Sequence, residues 1–216
     1  MLNLKENDRQ KVYFTSDWHW NHQQEFIWKS RGHNSVAEHN ATIIEETNKL
    51  VGPNDILFHA GDLMLNSKPE NFETLISQIN CKTIYMLFGN HPNPHYRSVY
   101  LPMVKAILGD KYETESEVYP LRYKNIIYIG HHLEFLVNGQ YIVLNHYPLS
   151  VWNEMARGGW MLCGHSHYGF PQSKADSLYG KILDVGWDGI KRPWSFTEIK
   201  ELFSTKRFVA HDAHHK

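Results

Sequence analysis

Five short apolar runs along this chain stop in the same way, and that recurrence constrains the fold more than any other feature. Residues 12–16 lead into Asp17 and His19. Residues 56–60 pass through Gly61 to Asp62, and residues 83–88 pass through Gly89 to Asn90 and His91. Residues 141–144 lead through Asn145 to His146, and residues 160–163 lead through Gly164 to His165 and His167. Each run has the length and apolar continuity of a strand. In open α/β sheets, ligands bind beyond the carboxyl ends of the strands. Five such ends carrying Asp, Asn or His are expected to converge on one crevice. Three of them pass through glycine, which permits a sharp turn and close backbone approach.

The segments between the first three runs read as helices. Ser35 and Glu38 have the form of a capping box, followed by an apolar face at Val36, Ile43, Ile44, Thr47, Leu50 and Val51. Ser67 and Glu70 repeat the pattern, with Pro69 near the first helical position and a stripe at Phe72, Leu75, Ile76 and Ile79. This β-α-β-α-β order predicts an α/β sheet with parallel central strands. Residues 118–123, 126–129, 133–137 and 141–144 then follow as closely spaced strands, with Asn138-Gly139 as a type I′ hairpin signal. Residues 160–163 and 182–185 add two more, and Ser195 starts a short final helix. This half is expected to be mostly antiparallel. The domain plan is a polar N-terminal extension over residues 1–10, one domain over residues 11–209, and a His-rich flexible tail over residues 210–216.

Composition narrows the chemistry. Lys and Arg number 22 and Asp and Glu 23, so an overall basic nucleic-acid binder is excluded and long nucleic acid is a poor partner. Two cysteines, Cys81 and Cys163, cannot build a disulfide framework or a thiolate zinc site. With no membrane-length apolar stretch and no signal-peptide core, the expected setting is the cytoplasm, away from membranes. Histidine, by contrast, is abundant at 15 residues. An oxygen and imidazole ligand set suits Mn, Fe, Zn or Ni better than Cu(I) or an iron–sulfur cluster. Asp17, His19, Asp62, Asn90, His91, His146, His165 and His167 are more donors than one catalytic metal takes. Two cations sharing a carboxylate would use them.

Asp17-x-His19, Gly61-Asp62, Gly89-Asn90-His91, His146 and Gly164-His165-x-His167, in that order, resemble the motifs of the calcineurin-like metallophosphoesterases. The segment Phe14-Thr15-Ser16-Asp17-Trp18-His19 is similar to the opening of small stand-alone bacterial and phage members. Val185-Gly186-Trp187-Asp188 and Arg192-Pro193-Trp194-Ser195 are similar to their closing stretch. The resemblance implies a four-layer α/β/β/α sandwich with mixed sheets. It also implies two divalent metal ions, manganese first, with iron, zinc or nickel as alternatives. Asp17, His19, Asp62 and His167 would hold one, and Asp62, Asn90, His146 and His165 the other. A metal-bridging hydroxide would attack phosphorus in line, with His91 stabilising the transition state or protonating the leaving oxygen. One position departs from the family: Pro92 stands where an acidic residue usually follows Gly-Asn-His. Either another acceptor replaces it, or the enzyme favours good leaving groups.

The implied substrate is a small phosphodiester or phosphomonoester, nucleotide-like. Trp18 and Trp20 are candidates to stack on a base, or equally to wall the pocket or pack on the Gln23–Trp28 segment. His22 and Arg31 are candidate substrate contacts, against the plainer readings of a loop histidine and a solvated arginine. His59 reads as a core histidine and His39 as a surface one, while Asp184 and Asp188 read as structural. The competing function is a catalytically silent scaffold of the same fold that binds a protein partner. Complete filling of the seven ligand positions argues against it.

Overall fold

A computed structural model of the chain describes residues 1–65, 68–91, 100–108, 121–178 and 180–207. Among these residues eleven strands and six α-helices follow one another: β1 (Leu2–Leu4), β2 (Val12–Thr15), α1 (Glu25–Ser30), α2 (Val36–Leu50), β3 (Ile56–His59), α3 (Pro69–Gln78) and β4 (Thr83–Leu87). Then come α4 (Leu101–Leu108), β5 (Leu121–Tyr123), β6 (Ile126–Gly130), β7 (His132–Val137), β8 (Gln140–Asn145) and β9 (Trp160–Cys163). The chain ends with β10 (Ile182–Asp184), α5 (Trp187–Ile190), β11 (Trp194–Ser195) and α6 (Phe196–Ser204). The strands form a six-stranded sheet, ordered β11-β2-β3-β4-β6-β5, and a five-stranded sheet, ordered β1-β7-β8-β9-β10.

Side-chain alternation stacks these sheets, because successive residues of a strand face opposite sides. From the six-stranded sheet, Val12, Phe14, Ile56, Phe58 and Leu87 join Phe135, Ile142, Leu144, Trp160 and Leu162 of the other sheet in one inner cluster. Phe58 lies at its centre, with ring centroids 4.5 Å from Phe135, 4.9 Å from Tyr85 and 5.4 Å from Phe14. The opposite faces of the same strands send Leu57, Ile84, Met86, Ile126 and Tyr128 against Ile43 of α2 and Phe72, Leu75 and Ile76 of α3. The outer face of the five-stranded sheet is thinner: Val143, Met161 and Cys163 pack under Trp152 and Met155 of a connecting segment. The fold is thus a mixed α/β sandwich of two mixed sheets with helices.

Several expectations need correction. Residues 1–10 are not outside the domain, since β1 pairs in parallel with β7 through Leu2–Phe135, Asn3–Leu136 and Leu4–Val137. The second half is not mostly antiparallel. β7 and β8 form the antiparallel hairpin around Asn138 (φ 50°) and Gly139 (φ 80°), but β8–β9 and β9–β10 are parallel. The connection over residues 146–159 is long enough for a parallel crossover, which takes a dozen residues or more. At α3 the N-cap is Lys68, with no side-chain cap. Ser35 caps α2, but Glu38 reaches back to the backbone N–H of Asn34, one residue beyond the expected box. Residues 208–216, including the tail, and Ser67 and Pro92 lie outside the described residues.

Candidate metal centre

Parallel pairing puts the carboxyl ends of β2, β3 and β4 on one edge of the six-stranded sheet, and those of β8, β9 and β10 on one edge of the five-stranded sheet. Past those edges the chain keeps a ladder of backbone bonds: Asp17 N–H donates to Gly61 C=O at 3.0 Å, His19 to Asp62 at 3.1 Å and Gly164 to His146 at 3.0 Å. Ser16 and Gly186 form a parallel bridge, and Trp187 N–H donates to Ser16 C=O at 2.9 Å. That bridge joins the end of β10 to the end of β2, so the two sheets meet where the loops converge.

The loops are strained where the site residues sit. Asp17, His19, Asp62, His165 and His167 adopt φ of 54°, 48°, 54°, 65° and 48°. Left-handed backbone is unfavourable for residues with a Cβ, although Asp and His tolerate it better than most. Such strain, roughly 1–3 kcal/mol per residue, persists where the surroundings over-determine it and is concentrated at functional sites. Here each turn aims a donor into the crevice. Two glycines make room for the carboxylates. A Cβ at Gly89 would lie 2.0 Å from Asp62 Oδ1, and one at Gly164 would lie 2.3 Å from Asp17 Oδ2.

The seven expected ligand residues gather. Ligand atoms of Asp17, His19 and His167 lie within 4.8 Å of one another, as do those of Asp17, Asp62 and His146. Asn90 Oδ1 lies 2.7 Å from His146 Nε2 and 2.8 Å from His165 Nδ1. Asp62 is central: its Oδ2 is 3.4 Å from His146 Nε2, 3.7 Å from His91 Nε2 and 3.9 Å from His19 Nε2. His91 therefore stands at the same carboxylate, with its backbone N–H donating to Asp62 Oδ1 at 2.9 Å.

The donor set fits cations. Asp17 and His19 are buried, yet Asp17 Oδ1 and both ring nitrogens of His19 have no hydrogen-bond partner among the described residues. Orphaned buried polar atoms are costly and call for an explanation such as an ion. His146 Nδ1 lies 2.9 Å from the Ala60 carbonyl. A carbonyl only accepts, so Nδ1 carries the proton and Nε2 turns its lone pair to the site. Burial drives His19 down to about 2, leaving a neutral imidazole available as a ligand. Burial also raises Asp17, reinforced by Asp184. Burial alone would raise Asp62, but its hydrogen bond with His146 holds it below the ordinary carboxylate range.

The expected substrate residues fare differently. Trp18 and Trp20 are only 1% and 6% exposed, so neither can stack on a base. The left-handed turns at Asp17 and His19 send both indoles inward, where Trp18 meets His59 and Trp187 edge-on. Arg31 is neither solvated nor free for phosphate. Its guanidinium is buried on Asp188 and the carbonyls of Asp17 and Trp18. His39, expected at the surface, is buried with its Nε2 at 2.9 Å from Arg31 Nη1. His22 adjoins the site, its ring 5.7 Å from that of His19, but it is largely covered. His59 is a core residue, and Asp184 ties down the Gly164–Tyr168 loop by accepting from Tyr168 N–H and the Ser166 hydroxyl.

Two aromatic residues missed in the sequence lie beside the site. Tyr147, 47% exposed, has its ring 4.5 Å from that of His165. Phe26, 68% exposed, has its ring 5.8 Å from that of His22. Tyr147 directly follows His146, the one signal that could have found it.

Comparison with known proteins decides the family. The model of the calcineurin-like phosphoesterases matches residues 10–169. The chain belongs to the calcineurin-like phosphoesterases. It is accordingly a metal-dependent phosphoester hydrolase, and the match spans every strand-end motif from Asp17 to His167. The uncharacterized protein MJ1445 of Methanocaldococcus jannaschii is 29% identical over 206 residues, covering 92% of this chain and 94% of that protein. The crystal structure of AQ665, a protein of unknown function from Aquifex aeolicus, shares the fold with a TM-score of 0.56 at 18% identity. That likeness covers 89% of this chain and 99% of the other. No helix among the described residues is long and apolar enough to cross a membrane.

Proposed function

We propose that this calcineurin-like phosphoesterase holds two divalent cations and hydrolyses a small nucleotide-like phosphodiester or phosphomonoester. The observation that carries the metal reading is the buried, unpartnered set of Asp17 Oδ1 and the His19 nitrogens, facing the Asp62 carboxylate. Asp17, His19, Asp62 and His167 form one ligand set, and Asp62, Asn90, His146 and His165 the other. Asp62 serves both because it has two oxygens and a full charge. When bound, the cations, manganese first with iron, zinc or nickel as alternatives, lower the pKa of a water and offset charge on the phosphate oxygens.

The protein's own groups do the rest. Asp17, His19 and His146 are buried and close the floor, while Asn90, His165 and His167 are exposed and leave the opposite side open to substrate. His91 stands half-exposed at that rim and gives a proton to the leaving oxygen. Tyr147 and Phe26 replace the tryptophans as the aromatic groups available to a base. Stacking on such a ring is worth about 1–3 kcal/mol per base.

The test is a metal-reconstituted screen of mononucleotides, cyclic and dinucleotides, single-stranded oligonucleotides and small alkyl phosphates, repeated with Tyr147→Leu. Base-bearing substrates should lose roughly 5–100-fold in kcat/KM with the variant, and alkyl phosphates little. Equal losses on both, or turnover confined to long strands, contradicts the substrate assignment.

A further inference from the structure

In the Arg31–Asp188–His167 chain of contacts only His167 is one of the expected ligands; Asp188 closes the Val185–Asp188 stretch and lies beyond the matched residues 10–169. Arg31 follows α1 and is 3% exposed. Its Nε and Nη2 donate to Asp188 Oδ1 and Oδ2 at 2.9 and 2.8 Å, a two-pronged grip on one carboxylate. Nη2 also donates to the Asp17 carbonyl, and Nη1 to the Trp18 carbonyl, each at 2.8 Å. The same guanidinium thus holds the backbone of the Asp17 loop and the side chain of Asp188. Lys191, just after α5, donates to the Arg31 carbonyl at 2.8 Å and fixes the arginine from its other end.

Asp188 then reaches the site. Its Oδ2 lies 2.8 Å from His167 Nδ1. The carboxylate, held ionised by Arg31, can only accept, so Nδ1 carries the proton. The lone pair of His167 is therefore on Nε2. The ring lies 5.0 Å from that of His19 at 16°, so the two imidazoles stack beside Asp17. A ligand histidine whose other nitrogen is held by a carboxylate is fixed in tautomer and orientation. His167 needs such a hold, because its side chain is 39% exposed and its backbone is left-handed. A buried charge held in an ion pair is a poor stabiliser, so stability is a weak reason to bury Arg31 against the half-buried Asp188.

We propose that Arg31 and Asp188 are positioning residues for one of the two cations: Arg31 fixes Asp188, and Asp188 presents His167 Nε2 to the set formed with Asp17 and His19. This rests on the reading that those residues hold a metal ion. The pair reaches no substrate, and sequence reasoning misassigned Arg31 because its partner is 157 positions away.

The experiment compares wild type, Asp188→Asn and Arg31→Lys by manganese titration, monitored by calorimetry and by electron paramagnetic resonance. Asn keeps the size of Asp but cannot accept from Arg31 at both positions and also from His167. Lys keeps the charge of Arg but cannot span both carboxylate oxygens and two carbonyls. Each variant should weaken one of two manganese sites by about 10–100-fold and leave the other near its wild-type affinity. At one to two equivalents the spin-coupled pair signal should give way to that of an isolated ion, and excess manganese should restore it. Two sites of wild-type affinity in both variants overturns the proposal, and so does equal weakening of both sites. If Asp188→Asn does not fold, Arg31→Lys decides. In metal-free protein, nitrogen NMR of His167 should show the Nδ1–H form in wild type and a tautomer mixture in Asp188→Asn. An unchanged tautomer overturns the role of Asp188 whatever the metal does. Wild-type protein that binds no second cation refutes the metal reading itself, a failure distinct from that of the pair.

Discussion

Gly89→Ala isolates the shared carboxylate without touching it. The backbone of Gly89 is not left-handed, so alanine suits its local conformation; the obstacle is Asp62. An ideal Cβ would lie 2.0 Å from Asp62 Oδ1, 2.6 Å from its backbone nitrogen and 2.8 Å from Cγ. Ordinary contact begins at 3.4 Å, so 3.4 less 2.0 leaves 1.4 Å to be made up. Rotating the side chain alone does not supply it, because the backbone nitrogen is also too close. Metal–ligand distances tolerate only about 0.2 Å. Overpacking of this kind costs roughly 1–3 kcal/mol. Both cation sites should weaken together, by at least the ~10–100-fold that follows loss of a supporting partner. Calorimetric manganese titration and thermal unfolding of metal-free protein measure the two effects separately. Gly52→Ala is the control, since its Cβ would meet Asp55 Oδ2 at 3.4 Å. Wild-type manganese affinity in Gly89→Ala would refute the reasoning, because it would mean Asp62 need not stand where it does.

Three other outcomes follow. His91→Ala should lower kcat far more for poor leaving groups than for p-nitrophenolate, and equal losses would remove its role as proton donor. Metal affinity should rise with pH. Hydrogen bonding to Asp188 raises His167, and Asp62 and Asp17 together raise His146 against the opposing effect of burial, so on acidification both take up a second proton more readily than a free imidazole. Cations displace these protons, and each one displaced weakens apparent affinity about tenfold per pH unit of acidification. Binding that releases no protons at mildly acid pH, in buffers of different ionisation enthalpy, contradicts this. Glu198→Gln should destabilise the protein at neutral pH but not near pH 2 (its carboxyl is over a third exposed, so by less than about 1 kcal/mol). Burial opposes ionisation of Glu198, but Arg192 and the Ser195 N–H bring it from 4.5 down to about 2. Its contribution is therefore complete above 4.5 and lost as pH falls toward 2. A stability gap between the two proteins that is constant with pH would contradict that origin.

The ligand-bearing strand ends were legible because an apolar run that stops at Gly-Asp or Gly-Asn-His announces both a strand and its end. The residues of β9 were read without error, and Ser195 does start the final helix α6, which the structure closes with a Ser195–Glu198 capping box. What was illegible depends on direction and distance. Trp18 and Trp20 alternate with ligands in the chain, but left-handed turns aim them into the helix-side core. Arg31 and His39 look like surface residues until Asp188 and two loop carbonyls are brought to them from afar. Strand β1 is three residues with a polar centre, and only its pairing with β7 reveals it. Parallel and antiparallel pairing of β8 and β9 cannot be told from apolar patterns, because both bury alternate faces.

The central claim is that five strand ends build a two-cation phosphoesterase. Manganese titration of metal-free protein, with turnover of bis-p-nitrophenyl phosphate followed at each step, tests it most directly. The account predicts two equivalents bound per chain, hydrolysis that depends on the second, and its loss on chelation. Binding of two equivalents with no hydrolysis, repeated with nickel, cobalt, iron and zinc, would contradict it and mark the site as a silent scaffold.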